Sequence, residues 1–252
     1  MIDQEQAREE TCGETREEAR QEVRTTLPVQ LVAALLIALV AIGLFVTIAL
    51  ELTRSGVTGS DLLLRTDKQV MAFMRMRATP DGDSLMSFVS ILGSPLSMGV
   101  LAVGGGLWLW VRRRIIPLVG WCCAFAGASA LTVGLKHSFQ RVRPDGAEAF
   151  LHGTSFSFPS GHSLGSIVGI GITAYLLVAF RESRTLSRAL TIAAAVVLII
   201  AIGWSRLYLG VHYLSDVVAG FAAGGMWLSC CIAGIEYYRH ASARRMTVAT
   251  SR

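Results

Sequence analysis

An all-α fold of six membrane-spanning helices in a bundle is what three features of this 252-residue sequence predict. Hydrophobic residues make up 52% of the chain and charged ones only 16%, against roughly 25% charged in ordinary soluble domains. The charge is unevenly spread, with eight of the eighteen acidic residues lying before Pro28. Beyond that point six windows (28–50, 85–111, 115–135, 163–180, 186–204 and 217–235) approach or reach the ~20 apolar residues a span requires. A soluble helical core is the competing reading, but it leaves too little polar sequence to cover a water-facing surface. Nothing in the chain has the pattern of a nucleic-acid-binding module.

Taken in order, residues 1–27 are rich in Glu, Arg and Gln and lack an apolar stripe, which reads as a polar tail. The window at 28–50 is too long for the apolar core of a cleavable signal, about 7–15 residues, and reads as a first transmembrane helix. Residues 51–84 balance five basic against five acidic side chains. Within them "KQVMAFMRMR" (68–77) fits either an amphipathic helix lying in the membrane interface or an ordinary surface helix. The window at 85–111 carries "VGGGLWLW" (103–110), three glycines that suit close helix packing and lack the strand-to-helix setting of a nucleotide loop. In the window 186–204, Arg188 sits near the start, where its side chain can snorkel to the interface. Cys122, Cys123, Cys230 and Cys231 fall within spans without metal-ligand spacing and read as small packing residues; Cys12 lies in the tail. The division expected is a polar tail over 1–27, a membrane domain over 28–238 and a basic tail over 239–252.

Orientation follows from arginine. The link between spans two and three is essentially Arg112–Arg114, that between spans four and five holds Arg181, Arg184 and Arg188, and the C-terminal stretch carries Arg239, Arg244, Arg245 and Arg252. The positive-inside rule places all three in the cytoplasm together with both termini. The five basic residues of 51–84 pull the other way, and acids count for little in that rule.

Three polar clusters remain, each at a span end on the predicted outer side. In "SRLYLGVHYLSD" (205–216), His212 and Asp216 are four apart and share a helical face, so the carboxylate can fix the ring's tautomer. The other ring nitrogen is then available as nucleophile or base, and Arg206 can hold an anion beside it. In "PSGHS" (159–163), Ser160 is a candidate cap for the next helix and Gly161 lets backbone approach a ligand closely. His162 falls at a helix start, where unpaired N–H groups favour anions. In "KHSFQRVRP" (136–144), Lys136 and Arg143 offer a point-charge ammonium and a planar fork, two different phosphate contacts. The lysine is notable in a chain with 21 arginines and two lysines.

Singly, each cluster has a plain alternative: a satisfied polar pair, a simple helix cap, two cations on lipid headgroups. Together they put Lys136, Arg143, Arg206, a helix N-terminus and two histidines on one side of the membrane. Three cations with backbone donors suit a phosphate dianion, and two histidines supply a nucleophile and an acid.

The same residues resemble the three signature motifs of the type 2 phosphatidic acid phosphatases, whose active site is shared with vanadium haloperoxidases. The motifs read here as Lys136 through Arg143-Pro144, Pro159 through His162, and Ser205-Arg206 through His212 and Asp216. They span about 80 residues, and the predicted spans extend the similarity over roughly 28–238. The resemblance implies a six-helix membrane phosphatase, suited by its arginine-rich composition to a bacterial cell membrane, that needs neither metal nor other cofactor. Its active site would sit at the extracytoplasmic ends of helices three to six. It also implies that His212 attacks phosphorus and forms a phosphohistidine, with Asp216 orienting it. His162 would protonate the leaving oxygen and then activate water. Lys136, Arg143, Ser160, Gly161 and Arg206 would hold the phosphate oxygens. Partners would be membrane lipids and a lipid phosphate or diphosphate such as phosphatidate, phosphatidylglycerol phosphate or undecaprenyl diphosphate; oligomeric state is left open. Three rivals stand beside it: a haloperoxidase, which the spans disfavour; a non-catalytic lipid-binding or transport protein; and a zinc hydrolase using His162, His212 and Asp216.

Overall fold

The computed structural model describes residues 29–58, 61–145, 147, 156–180 and 185–249. The expected polar tail over 1–27, and Arg181 and Arg184, lie outside them. Among the described residues the secondary structure is entirely helical: α1 (Val29–Thr58), α2 (Asp61–Met76), α3 (Pro80–Leu92), α4 (Pro95–Val111), α5 (Ile115–Phe139), α6 (Gly161–Phe180), α7 (Thr185–Tyr208) and α8 (Leu214–Ala249). Among the described residues six stretches are long and apolar enough to cross a membrane: Leu31–Arg54, Pro80–Val111, Ile115–Phe139, Gly161–Phe180, Thr185–Tyr208 and Leu214–Ser242. Their outer faces are apolar as well. Leu36, Leu39 and Val40 are 58%, 66% and 72% exposed, a belt that lipid covers and water would not tolerate.

The window expected as one span over 85–111 is two helices in series. Thr79 caps α3, accepting from the Gly82 N–H at 3.1 Å, with Pro80 in the first turn. Gly93 closes that helix, and Ser94, accepting from the Ser97 N–H at 3.2 Å just before Pro95, starts α4. A serine followed by proline is a helix-start signal, and it acts here inside an apolar run. The stretch around 68–77 belongs to α2, which packs on α7 and α8. It buries Met74 against Leu207 and Val217, and Asp67 is only 2% exposed. Residues from Arg239 continue α8 as far as Ala249.

α8 runs through the bundle, in contact with α1, α5 and α6. Its closeness to α6 depends on Gly220 and Gly224, four apart. A Cβ at Gly220 would stand 2.7 Å from the Ser160 carbonyl oxygen, and one at Gly224 2.8 Å from that of Leu164. Around this seam Leu164, Val168, Ile172 and Ala223 form the core with Leu109 and Trp121. The contact expected of the three glycines is made by Gly105 and Gly106, both against Trp121, whose indole N–H donates to the Ala102 carbonyl at 2.8 Å; Gly104 faces open space. Of the four cysteines in the spans, Cys231 packs against the core as expected and the other three do not. Cys122, Cys123 and Cys230 are exposed rather than packed within the bundle, Cys123 and Cys230 lining a groove between α5 and α8.

Candidate active site

Local signals aim the polar clusters at one place. α5 ends at Gln140, whose left-handed conformation (φ 45°) and N–H bond to the Lys136 carbonyl (3.0 Å) turn the chain out of the helix. Arg141 and Arg143 are thereby thrown across towards α8. Ser160 caps α6, its hydroxyl oxygen facing the Ser163 N–H (3.4 Å) and hydroxyl (3.0 Å). Its own N–H donates to the Asp216 carbonyl at 2.9 Å, tying the start of α6 to the first turn of α8. Between α7 and α8 the turn at Gly210 (φ +66°) places His212 under Arg143.

His212 is 3% exposed. Its Nδ1 lies 3.4 Å from Asp216 Oδ2 and its Nε2 3.2 Å from Arg143 Nη1. A guanidinium can only donate, so Nε2 carries a lone pair and the ring proton sits on Nδ1, facing the carboxylate. Asp216 is fully buried. Its Oδ2 also accepts from the Tyr213 N–H at 2.9 Å and from the Ser157 hydroxyl, and its Oδ1 from Arg141 Nη1 at 2.6 Å. Burial, only partly opposed by the bond to Asp216, pushes the His212 ring down to about 4, with Arg143 and Arg206 adding to the fall. The ring is therefore neutral at ordinary pH. Burial likewise lowers the Arg143 guanidinium, against the pull of Asp216. For Arg141 burial acts in the same sense, yet Asp216 and Asp67 outweigh it and hold the group above its usual value.

Lys136, Arg143, Arg206, Gly161, His162 and His212 share the polar end of one cavity of about 590 Å³. Its far wall is apolar, formed by Met98, Ala102, Phe125 and Val133 among others from α4 and α5. Lys136 Nζ donates to the Phe156 carbonyl. Arg206, 4% exposed, donates through Nη1 to Ser90 on α3, and its buried Nε has no partner among the described residues. Of the residues the sequence singled out, Ser160 and Asp216 do not line the cavity. Ser160 turns its hydroxyl towards Ser163, and Asp216 stands behind His212. Among the described residues no group of three or more His, Cys, Asp or Glu side chains is arranged to hold a metal ion.

Four residues around the site escaped the reading of the motifs. Arg141 lay within the quoted run KHSFQRVRP, and Ser157 lies three residues before Ser160; in both cases adjacency was the available signal. Ser90 and Asp67 come from α3 and α2, and no local pattern marks either.

Comparison with known proteins places the fold in a family. The model of the PAP2 superfamily matches residues 117–239. Phosphatidylglycerophosphatase B of Bacillus subtilis (strain 168) is 32% identical over 142 residues, 56% of this chain and 70% of that protein. The putative undecaprenyl-diphosphatase YbjG of Escherichia coli (strain K12) is 31% identical over 160 residues, covering 60% of this chain and 75% of the relative. The crystal structure of a transmembrane PAP2 type phosphatidylglycerolphosphate phosphatase from Bacillus subtilis superposes with a TM-score of 0.65 at 26% identity, over 76% of this chain and 93% of that one. With the matched region holding all three polar clusters and the fold shared well beyond it, the chain belongs to the PAP2 superfamily.

Proposed function

We propose that this protein is an integral-membrane lipid phosphatase that hydrolyses a lipid phosphate monoester or diphosphate through a phosphohistidine. The observation that carries this reading is the single cavity in which a neutral, oriented imidazole faces three cations at one end while apolar side chains line the other. A phosphate headgroup fits the first and a hydrocarbon chain the second.

In this reading Nε2 of His212 attacks phosphorus in line with the ester oxygen. Positive charge then grows on the ring, and Asp216, 3.4 Å from Nδ1, stabilises it. Lys136, Arg143, Arg206 and the N–H groups at the start of α6, Gly161 included, bind the equatorial oxygens, where a preorganised cationic pocket is most effective as charge develops. His162, on the first turn of α6, gives its proton to the leaving oxygen. It then takes one from the water that splits the phosphohistidine. Ser160 contributes as the cap that fixes that turn. The Bacillus and Escherichia relatives bear names for phosphatidylglycerol phosphate and undecaprenyl diphosphate; both substrates suit this pocket, with phosphatidate as a third. Arg112–Arg114 and Arg188 lie at the other end of the bundle, where Arg114 stacks over Phe180 at 5.3 Å. We place that end in the cytoplasm and the site at the outer face of the cell membrane.

The test is phosphate release from these three lipids in detergent and excess chelator, with trapping of acid-labile phosphoenzyme. His212→Ala should form no phosphoenzyme and lose turnover, whereas Asp216→Asn should keep a small residual rate because the attacking atom survives. Wild-type turnover by His212→Ala would refute the assignment.

A further inference from the structure

Asp67 is a buried carboxylate on α2, far in sequence from every motif residue, yet it terminates a chain of charged hydrogen bonds that begins at His212. Asp67 Oδ2 accepts from Arg141 Nη2 at 2.8 Å and from the Ser215 hydroxyl at 2.6 Å. Its Oδ1 accepts from the Ser215 N–H at 2.9 Å, in the first turn of α8. Arg141 reaches onward through Nη1 to Asp216 Oδ1 at 2.6 Å and to Ser215 Oγ at 2.7 Å. Its guanidinium lies over the Tyr213 ring, 4.1 Å from the centroid. Asp67 and Asp216 are 2% and 0% exposed and the Arg141 side chain 10%, so water screens this row weakly.

We propose that Asp67 is a positioning residue for the hydrolysis, acting through Arg141 and Ser215 to hold Asp216 and, with it, His212. The inference rests on the reading of His212 as the attacking group.

Charge bookkeeping gives the reason. Asp67, Arg141 and Asp216 together carry one negative charge behind the imidazole. Replace Asp67 by asparagine and the row becomes neutral. The positive charge that develops on His212 during attack then meets no net opposite charge, and Arg141 is left to draw Asp216 to itself. The loss falls on the chemical step, because none of these three side chains lines the cavity that receives the phosphate. A carboxylate that served only to cap α8 and pin α2 would act on stability instead, lowering the amount of folded enzyme and leaving the rate of each folded molecule alone.

The experiment compares Asp67→Asn with the wild-type full chain in detergent, using a lipid phosphate monoester and normalising to folded protein. A kcat lower by roughly tenfold to a hundredfold with KM within about threefold is the expected result, in the range seen when outer partners of an active group are removed. The ratio of variant to wild-type kcat/KM, in which the substrate's own ionisation cancels, should rise at low pH. His212 has lost a stabilising charge and takes up its proton later, in surroundings that still hold Arg143, Arg206, Lys136 and His162. Asp67→Glu, which keeps the charge, should recover most of the rate. Wild-type kcat in Asp67→Asn, or a reduced rate with a flat pH ratio and no recovery in Asp67→Glu, overturns the proposal. If Asp67→Asn does not fold, Arg141→Lys decides, since it keeps the charge but loses the two-armed bridge; wild-type kcat there overturns the proposal and a reduced kcat at unchanged KM supports it. His212→Ala run alongside separates the two levels. Turnover in that variant refutes the phosphohistidine reading itself, while its inactivity beside an unaffected Asp67→Asn refutes only the role of Asp67.

Discussion

Arg143 Nη1 stands 3.2 Å from Nε2 of His212, so the nitrogen proposed to attack phosphorus is already faced by a cation. An anion entering the cavity meets that guanidinium and the imidazole together. Arg206 and Lys136 close the same space from α7 and α5.

Vanadate should exploit this arrangement. It can adopt a trigonal-bipyramidal shape with a histidine nitrogen at one apex, and so should compete with the lipid as a transition-state mimic. Arg206→Ala should weaken turnover and vanadate inhibition together, because both draw on the same oxyanion contacts. His162→Ala should slow turnover with less effect on inhibition, since it acts on the leaving group and water. Phosphate release measured in EDTA with graded orthovanadate checks this. Activity lost in EDTA and restored by a divalent ion would favour the zinc hydrolase.

Acid should destabilise the protein partly through His212. In the unfolded chain its imidazole protonates near about 6.5, and in the folded one only near about 4. Between those values the unfolded state binds more protons, so stability falls as the pH drops through that window and is unaffected by this group above it. The loss is on the order of 3 kcal/mol at the lower end. Thermal melts of wild type and His212→Gln at pH values from about 7 to 4 should therefore diverge, the wild type falling more steeply. Parallel curves would contradict the buried neutral ring.

The packing of α6 on α8 is a second point of sensitivity. Gly220→Val sets a Cβ against the Ser160 carbonyl, 2.7 Å away and part of the backbone. The helices must part, which costs on the order of 1–3 kcal/mol and strains the bond from the Ser160 N–H to the Asp216 carbonyl. A lower melting temperature together with reduced kcat is expected. Gly104→Val, which opens onto free space, should be much milder.

Sidedness can be read with cysteines placed at the two ends after the native five are replaced. Val142→Cys, at an 81% exposed position beside the site, should react with an impermeant thiol reagent in intact cells. Arg112→Cys should react only after permeabilisation. The reverse pattern would invert the topology.

The spans were legible because lipid imposes a length and a composition on each helix, and 163–180 or 186–204 can be read off directly. The motif residues were legible because helix ends concentrate chemistry: Lys136, His162, Arg206 and His212 each lie within a few residues of one. Asp67 was not, because its partners Arg141 and Ser215 are brought to it by the docking of α2 on α8, a tertiary event without local period. Ser90, which meets Arg206, lies on α3 just before the span breaks at Gly93. That break was hidden by apolar residues on both sides of Ser94-Pro95. The outward-facing cysteines were misjudged for a related reason, since in a bundle surrounded by lipid an apolar residue carries no label for inside or outside.

The Nε of Arg206, which has no partner among the described residues, has a consequence for the proposed site. A buried donor without an acceptor costs about 1–3 kcal/mol, more when charged, and in the proposed reading a bound oxyanion would offset it. If Arg206 holds a phosphate oxygen as proposed, binding relieves that cost, and the phosphate acts as a structural component as well as a reactant. On that reading selection for stability alone would press against Arg206 first, and turnover would be what holds it in place.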